Sequence, residues 1–149
     1  MDKLHFKSAV EIARLIRERK VRAIEALEHF LARVGKYNPK LNAVIWLDVG
    51  RALERAKAAD AALAQDKLWG PLHGVPMTIK ESYNVAGSPT TWGDPKLANN
   101  VTETSALATE RLEKAGAVLF GKTNVPLMLA DWQSYNAVRV TSQGLLVVP

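Results

Sequence analysis

Lys80 closes the run Val75-Pro76-Met77-Thr78-Ile79, and a lysine at the end of an apolar strand can do acid–base chemistry. Its ordinary pKa is about 10.4. Work as a base near neutral pH requires that value to fall by up to ~3, which burial away from water supplies. The same placement also suits a lysine with a buried stem and a hydrated head. A second lysine sits in "GAVLFGKT", residues 116–123, which matches the phosphate-loop pattern G-x-x-x-x-G-K-[ST]. That pattern needs a strand before the first glycine and a helix after the lysine, with backbone N–H groups pointing at phosphate. Here Gly116 ends a helical run, and Ala117-Val118-Leu119-Phe120 reads as a buried strand. Nucleotide binding is therefore not expected.

The other reactive residue types offer less. There are no cysteines, so thiolate nucleophiles, thiolate metal sites and disulfides are excluded. His5, His29 and His73 are far apart and no ligand spacing accompanies them, so neither a metal nor a cofactor is expected. The net charge of +5 concentrates in Arg14, Arg17, Arg19, Lys20 and Arg22. Glu11 and Glu18 interleave with these residues, which read as a solvated helix end rather than a nucleic-acid surface. No apolar run reaches the ~18 residues of a membrane span. The N-terminus lacks the apolar stretch of a signal peptide, so a cytoplasmic protein is expected.

The elements that must position Lys80 follow from periodicity. Ser8-Ala9-Val10-Glu11 is a capping box ahead of a helix over 8–19. A second helix carries Ala23, Leu27, Phe30, Leu31 and Val34 on one face, and Gly35 with Asn38-Pro39 is expected to end it. Residues 42–47 read as a short strand, and 49–65 as an alanine-rich helix. From Trp69 to Gly93 the chain is rich in glycine and proline, with one strand at Val75–Ile79. A helix over 104–115 follows, with Gly116 at the position where a left-handed residue ends a helix. Strand, connection with helix, strand is the pattern of a right-handed crossover. The four tryptophans read as core or loop anchors, and Asp131, Trp132 and Gln133 as surface or as the lining of a substrate approach.

Three stretches together resemble the amidase signature family: "GPLHGVPMTIKESYNVAGSPTTWG", "ALATERLEKAGAVLFGKTNVPLMLA" and "DWQSYN". The preamble "ALEHFLARVGKYNPKLNAVI" is similar to the family's opening helices, and the resemblance covers residues 5–136. It implies an α/β fold, here an incomplete amidase-signature fold: N-terminal helices, then strands of a mixed sheet with a crossover helix. It also implies hydrolysis of carboxamide C–N bonds by a Ser–cis-Ser–Lys triad. The triad lysine matches Lys80, whereas Lys122 matches a family position other than the catalytic one.

The two triad serines of the family lie in a G-G-S-S-G-G-type segment that these 149 residues do not contain. None of Ser8, Ser82, Ser88, Ser105, Ser134 and Ser142 has that glycine-flanked context. Residues 1–136 thus read as the N-terminal part of an amidase-signature domain. Residues 137–149, "AVRVTSQGLLVVP", read as a divergent tail of the kind a shifted reading frame would produce. The expectation is a truncated hydrolase whose complete form acts on a small-molecule amide, but which is inactive as this chain. The alternative is a non-catalytic binding domain derived from the same fold. Strands deprived of neighbours would also favour self-association through sheet edges.

Overall fold

In the computed structural model, which describes residues 4–139, the order is α1 (Ala9–Arg17), α2 (Ala23–Leu41), β1 (Val44–Leu47), α3 (Val49–Ala64), β2 (Pro76–Lys80), α4 (Leu107–Lys114) and β3 (Val118–Thr123). The sheet order is β1-β3-β2. β1 runs antiparallel to β3, with Val44 opposite Thr123 and Leu47 opposite Gly121. The bonds from Val118 N–H to the Val75 carbonyl and from Glu81 N–H to the Thr123 carbonyl advance along both chains together, so β2 is parallel to β3. The α/β class and the small mixed sheet agree with the sequence reading. The chain divides into two compact units, and segments of α2, β2, α4 and β3 fall in both.

The first unit comprises residues up to Val34, Asp48–Met77 and Arg111–Phe120. Its helices start where the sequence places chemical caps. The Ser8 hydroxyl accepts from Glu11 N–H at 3.2 Å, and Ser8 N–H donates to the Glu11 carboxylate at 2.8 Å, so two orphan amides are satisfied reciprocally. At the start of α2 the amides of Ala23 and Ile24 donate to the Asp60 carboxylate of α3. One core cluster is built from small residues, Ala23, Ala52, Ala56 and Ala59, which let α2 and α3 approach Val118 and Phe120 closely. A second joins Leu4, Ile12, Ile16, Ala26, Leu63 and Val75.

His73 is buried in this unit with both ring nitrogens engaged. Nδ1 accepts from Trp69 N–H at 3.1 Å, which leaves Nε2–H to donate to the Ala59 carbonyl at 3.0 Å. Only the neutral ring meets both demands, and burial lowers its pKa, with the Ala59 bond opposing. Gly116 follows α4 at φ +100°, and a Cβ there would lie 2.7 Å from His73 Cα. Both facts restrict the position to glycine.

The second unit comprises Gly35–Leu47, Thr78–Glu110 and the chain from Gly121 onward. The sequence reading ends α2 near Gly35, yet the helix continues through Pro39 to Leu41. Proline clashes with the carbonyl four residues back and removes one donor. Pro39 falls within the last turn, so the helix loses little, and Asn42, at φ +50°, makes the turn instead. Asn38 has a different task from helix breaking: its side-chain oxygen accepts from Ala43 and Val44 N–H, and its amide donates to the Val44 carbonyl. It thereby fastens the entry of β1. At the other end of the pairing, a Cβ on Gly121 would lie 2.5 Å from the Trp46 carbonyl oxygen.

Candidate functional site

β3 settles the phosphate-loop question on geometry. Val118 through Thr123 form one extended strand, so Gly121 and Lys122 pair within a sheet rather than curling into an anion nest. The Lys122 side chain is 0% exposed. Its ammonium donates to the Pro89 carbonyl at 2.6 Å, the Thr90 hydroxyl at 2.8 Å and the Ser88 hydroxyl at 3.2 Å. Three donors meet three acceptors, and no capacity remains for a ligand. Burial holds the Lys122 pKa down to about 8, with the Glu81 charge opposing that fall.

Lys80 differs in every respect. It ends β2 with an exposed side chain, and its ammonium has no hydrogen-bond or ion-pair partner among the described residues. It lines a cavity of about 440 Å³ together with Ser82, Tyr83, Asn84, Trp92, Ala106 and Leu129. The wall is mostly apolar and aromatic, and Lys80 is its one ionisable cation. Ser82 is buried, and no described residue hydrogen-bonds its hydroxyl. Sequence reading sets Ser82 aside for want of flanking glycines; its place two residues after Lys80 is the available signal.

Glu81, between them in sequence, points elsewhere. Its buried carboxylate accepts from Thr91 N–H at 2.6 Å and Trp92 N–H at 3.1 Å. The loop that carries these amides is further fixed by mutual bonds between Thr90 and Asn100. Trp92 lies at φ +54°, a strained value for a side chain of its size. Neither the Glu81 clasp nor the triple engagement of Lys122 is visible in the sequence, because both join residues ten or more positions apart.

The remaining candidates separate cleanly. Trp132 is 98% exposed and anchors nothing among the described residues, contrary to the reading of all four tryptophans as anchors. Trp69 does pack against the first unit's core, with the Arg55 guanidinium 5.0 Å from its ring centre. The basic cluster is largely ion-paired: Arg14 and Lys20 with Glu18, Arg19 with Asp66, Arg22 with Glu25. Among the described residues no group of three or more potential ligands could hold a metal ion, and no helix is long and apolar enough to cross a membrane. Ser142 lies outside the described residues, as does the tail beyond Arg139.

The helices and the small mixed sheet are those of an amidase-signature α/β fold, of which this chain forms a part. The amidase family model matches residues 25–142, and the chain belongs to that family. A glutamyl-tRNA(Gln) amidotransferase subunit from Lachnospira eligens is 42% identical over 118 residues, 79% of this chain and 24% of that protein. An acylamidase from Rhodococcus erythropolis is 36% identical over 123 residues, 83% of this chain and 26% of that protein. The structure of a fatty acid amide hydrolase superposes with a TM-score of 0.85 at 28% identity, covering 91% of this chain and 24% of that one. The chain thus spans about a quarter of the length of these proteins.

Proposed function

We propose that the chain supplies the general base of an amide C–N hydrolase, Lys80, together with the loops that shape the site around it. The observation that carries this reading is the position of the Lys80 side chain: at a strand end, on the wall of the cavity, and engaged by no other described residue. Lys122 is spent on its own loop and has no such freedom.

In the complete reaction a neutral lysine takes a proton from a bridging serine, which in turn deprotonates the nucleophilic serine. The nucleophile's oxygen bonds to the amide carbonyl carbon, the C–N bond breaks, and the leaving nitrogen departs carrying the relayed proton. Water then cleaves the resulting ester. Lys80 must be desolvated for this work, and the described residues leave it exposed. The glycine- and serine-rich segment of the family, which holds both serines, is the piece that would cover it. Without that segment the chain lacks nucleophile and oxyanion donors together, and little rate enhancement is expected to remain.

The 149-residue polypeptide is therefore inert by itself, and a fluorophosphonate probe should leave it unlabelled. Stoichiometric labelling of any serine would overturn that part of the reading. The rival, a binding module, is favoured by the cavity being formed without the serine segment; saturable carboxamide binding to the unlabelled chain, with no turnover after the segment is supplied, would select it.

A further inference from the structure

Two buried charges of opposite sign hold one loop. The loop runs from Ser88 to Trp92, and Ser88, Thr90 and Thr91 are all buried. Lys122 grips its first half through the Ser88 hydroxyl, the Pro89 carbonyl and the Thr90 hydroxyl. Ser88 can accept from the ammonium because its own hydroxyl proton is given to the Val85 carbonyl at 2.7 Å. Glu81 grips the second half through two consecutive amides. At the end of the loop stands Trp92, a wall of the Lys80 cavity, in a backbone conformation that a tryptophan does not adopt unaided.

We infer that Glu81 and Lys122 are positioning residues that fix Trp92 against the cavity in which Lys80 stands. This rests on the reading of that cavity as the amide site. Glu81 is suited to the task by chemistry. A carboxylate presents two acceptor oxygens and can receive both amides, whereas an amide side chain has one acceptor oxygen and would turn an NH₂ group toward the other N–H. Its peptide N–H, bonded to the Thr123 carbonyl at 2.9 Å, ties the same residue to the end of β3. Lys122, one residue earlier in β3, complements it by holding the preceding residues of the loop, Ser88 to Thr90. The lysine that makes the proposed reaction possible and the tryptophan that bounds its substrate are thereby placed by neighbours in sequence: Glu81 follows Lys80, and the same side chain carries Trp92.

The test is amide hydrogen exchange, with the Trp92 indole N–H resonance, on the full 149-residue chain. In Glu81→Gln the Thr91 and Trp92 amides should exchange at least about tenfold faster and the indole resonance should move, with exchange at Val118 unchanged. In Lys122→Met the indole resonance should move as well. Unchanged exchange and an unmoved indole in Glu81→Gln would overturn the inference. So would equal acceleration at Val118, since the carboxylate would then serve overall stability alone. Lys80→Ala should leave the loop signals as in the unmodified chain, which keeps this result independent of whether Lys80 is the base; a displaced loop in that variant would contradict the assignment of positioning to Glu81 and Lys122.

Discussion

The ends of β2 and β3 each present a lysine, and the two lysines have opposite fates. Lys122 is buried, its three protons given to one loop, and its pKa is held down to about 8 by that burial. Lys80 is exposed, its ammonium has no described hydrogen-bond or ion-pair partner, and it borders a cavity. The comparison teaches that burial and a lowered pKa do not by themselves mark a catalytic base. Lys122 has the perturbation but no room for a substrate. Lys80 has the room, and its proposed role as a base calls for a desolvation that the described residues do not provide.

The largest expected effect separates the two directly. Lys122→Met should cost about 3 kcal/mol of folding stability, because it strands buried acceptors and leaves Glu81 without its counter-charge. Lys80→Ala should change stability by no more than about 0.5 kcal/mol, as befits an exposed side chain. Urea unfolding of both variants checks this, and equal losses would erase the distinction.

Next in size is a pH effect confined to Lys122. Its folded pKa of about 8 lies below the ordinary lysine value, so between them the unfolded chain binds more protons than the folded one. Stability from this group should therefore rise as pH increases from about 8 to about 10.4, by at most about 1.4 kcal/mol per pH unit. Lys122→Met should lack that slope.

A buried base in the first unit gives a case of the same sign at lower pH. His73 is neutral and doubly bonded, with its pKa lowered by burial. The unfolded chain takes up the proton first as pH falls through about 6.5, so stability should decline there. An NMR titration midpoint for His73 at or above 6.5 would contradict this. The capping box gives a smaller loss than Lys122→Met: Ser8→Ala should cost about 1 kcal/mol, read from the urea midpoint.

What sequence could disclose follows the range of the interaction. The Ser8–Glu11 box, the glycine after α4 and the strand through Val118–Phe120 depend on residues a few positions apart, and each forms where the pattern puts it. Lys80 stands out from its place after an apolar strand and from family resemblance, and the structure puts it on a cavity wall. The failures are long-range or compensated. Pro39 reads as a helix end, but the last turn tolerates it. Trp132 reads as an anchor, yet no described residue covers it. The roles of Glu81 and Lys122 depend on partners 10 to 34 positions away, which no local pattern carries.

The central claim is that Lys80, and not Lys122, is the base of an amide hydrolase. The most direct measurement is ammonia release from a simple carboxamide by the 149-residue polypeptide and by a chimera in which the C-terminal remainder of the Rhodococcus erythropolis acylamidase follows residue 136. The account predicts no release from the polypeptide, release from the chimera, and a fall of about 10²-fold or more in the chimera's kcat on Lys80→Ala. A Lys80→Ala chimera as active as its parent, or amide turnover by the polypeptide alone, would contradict it.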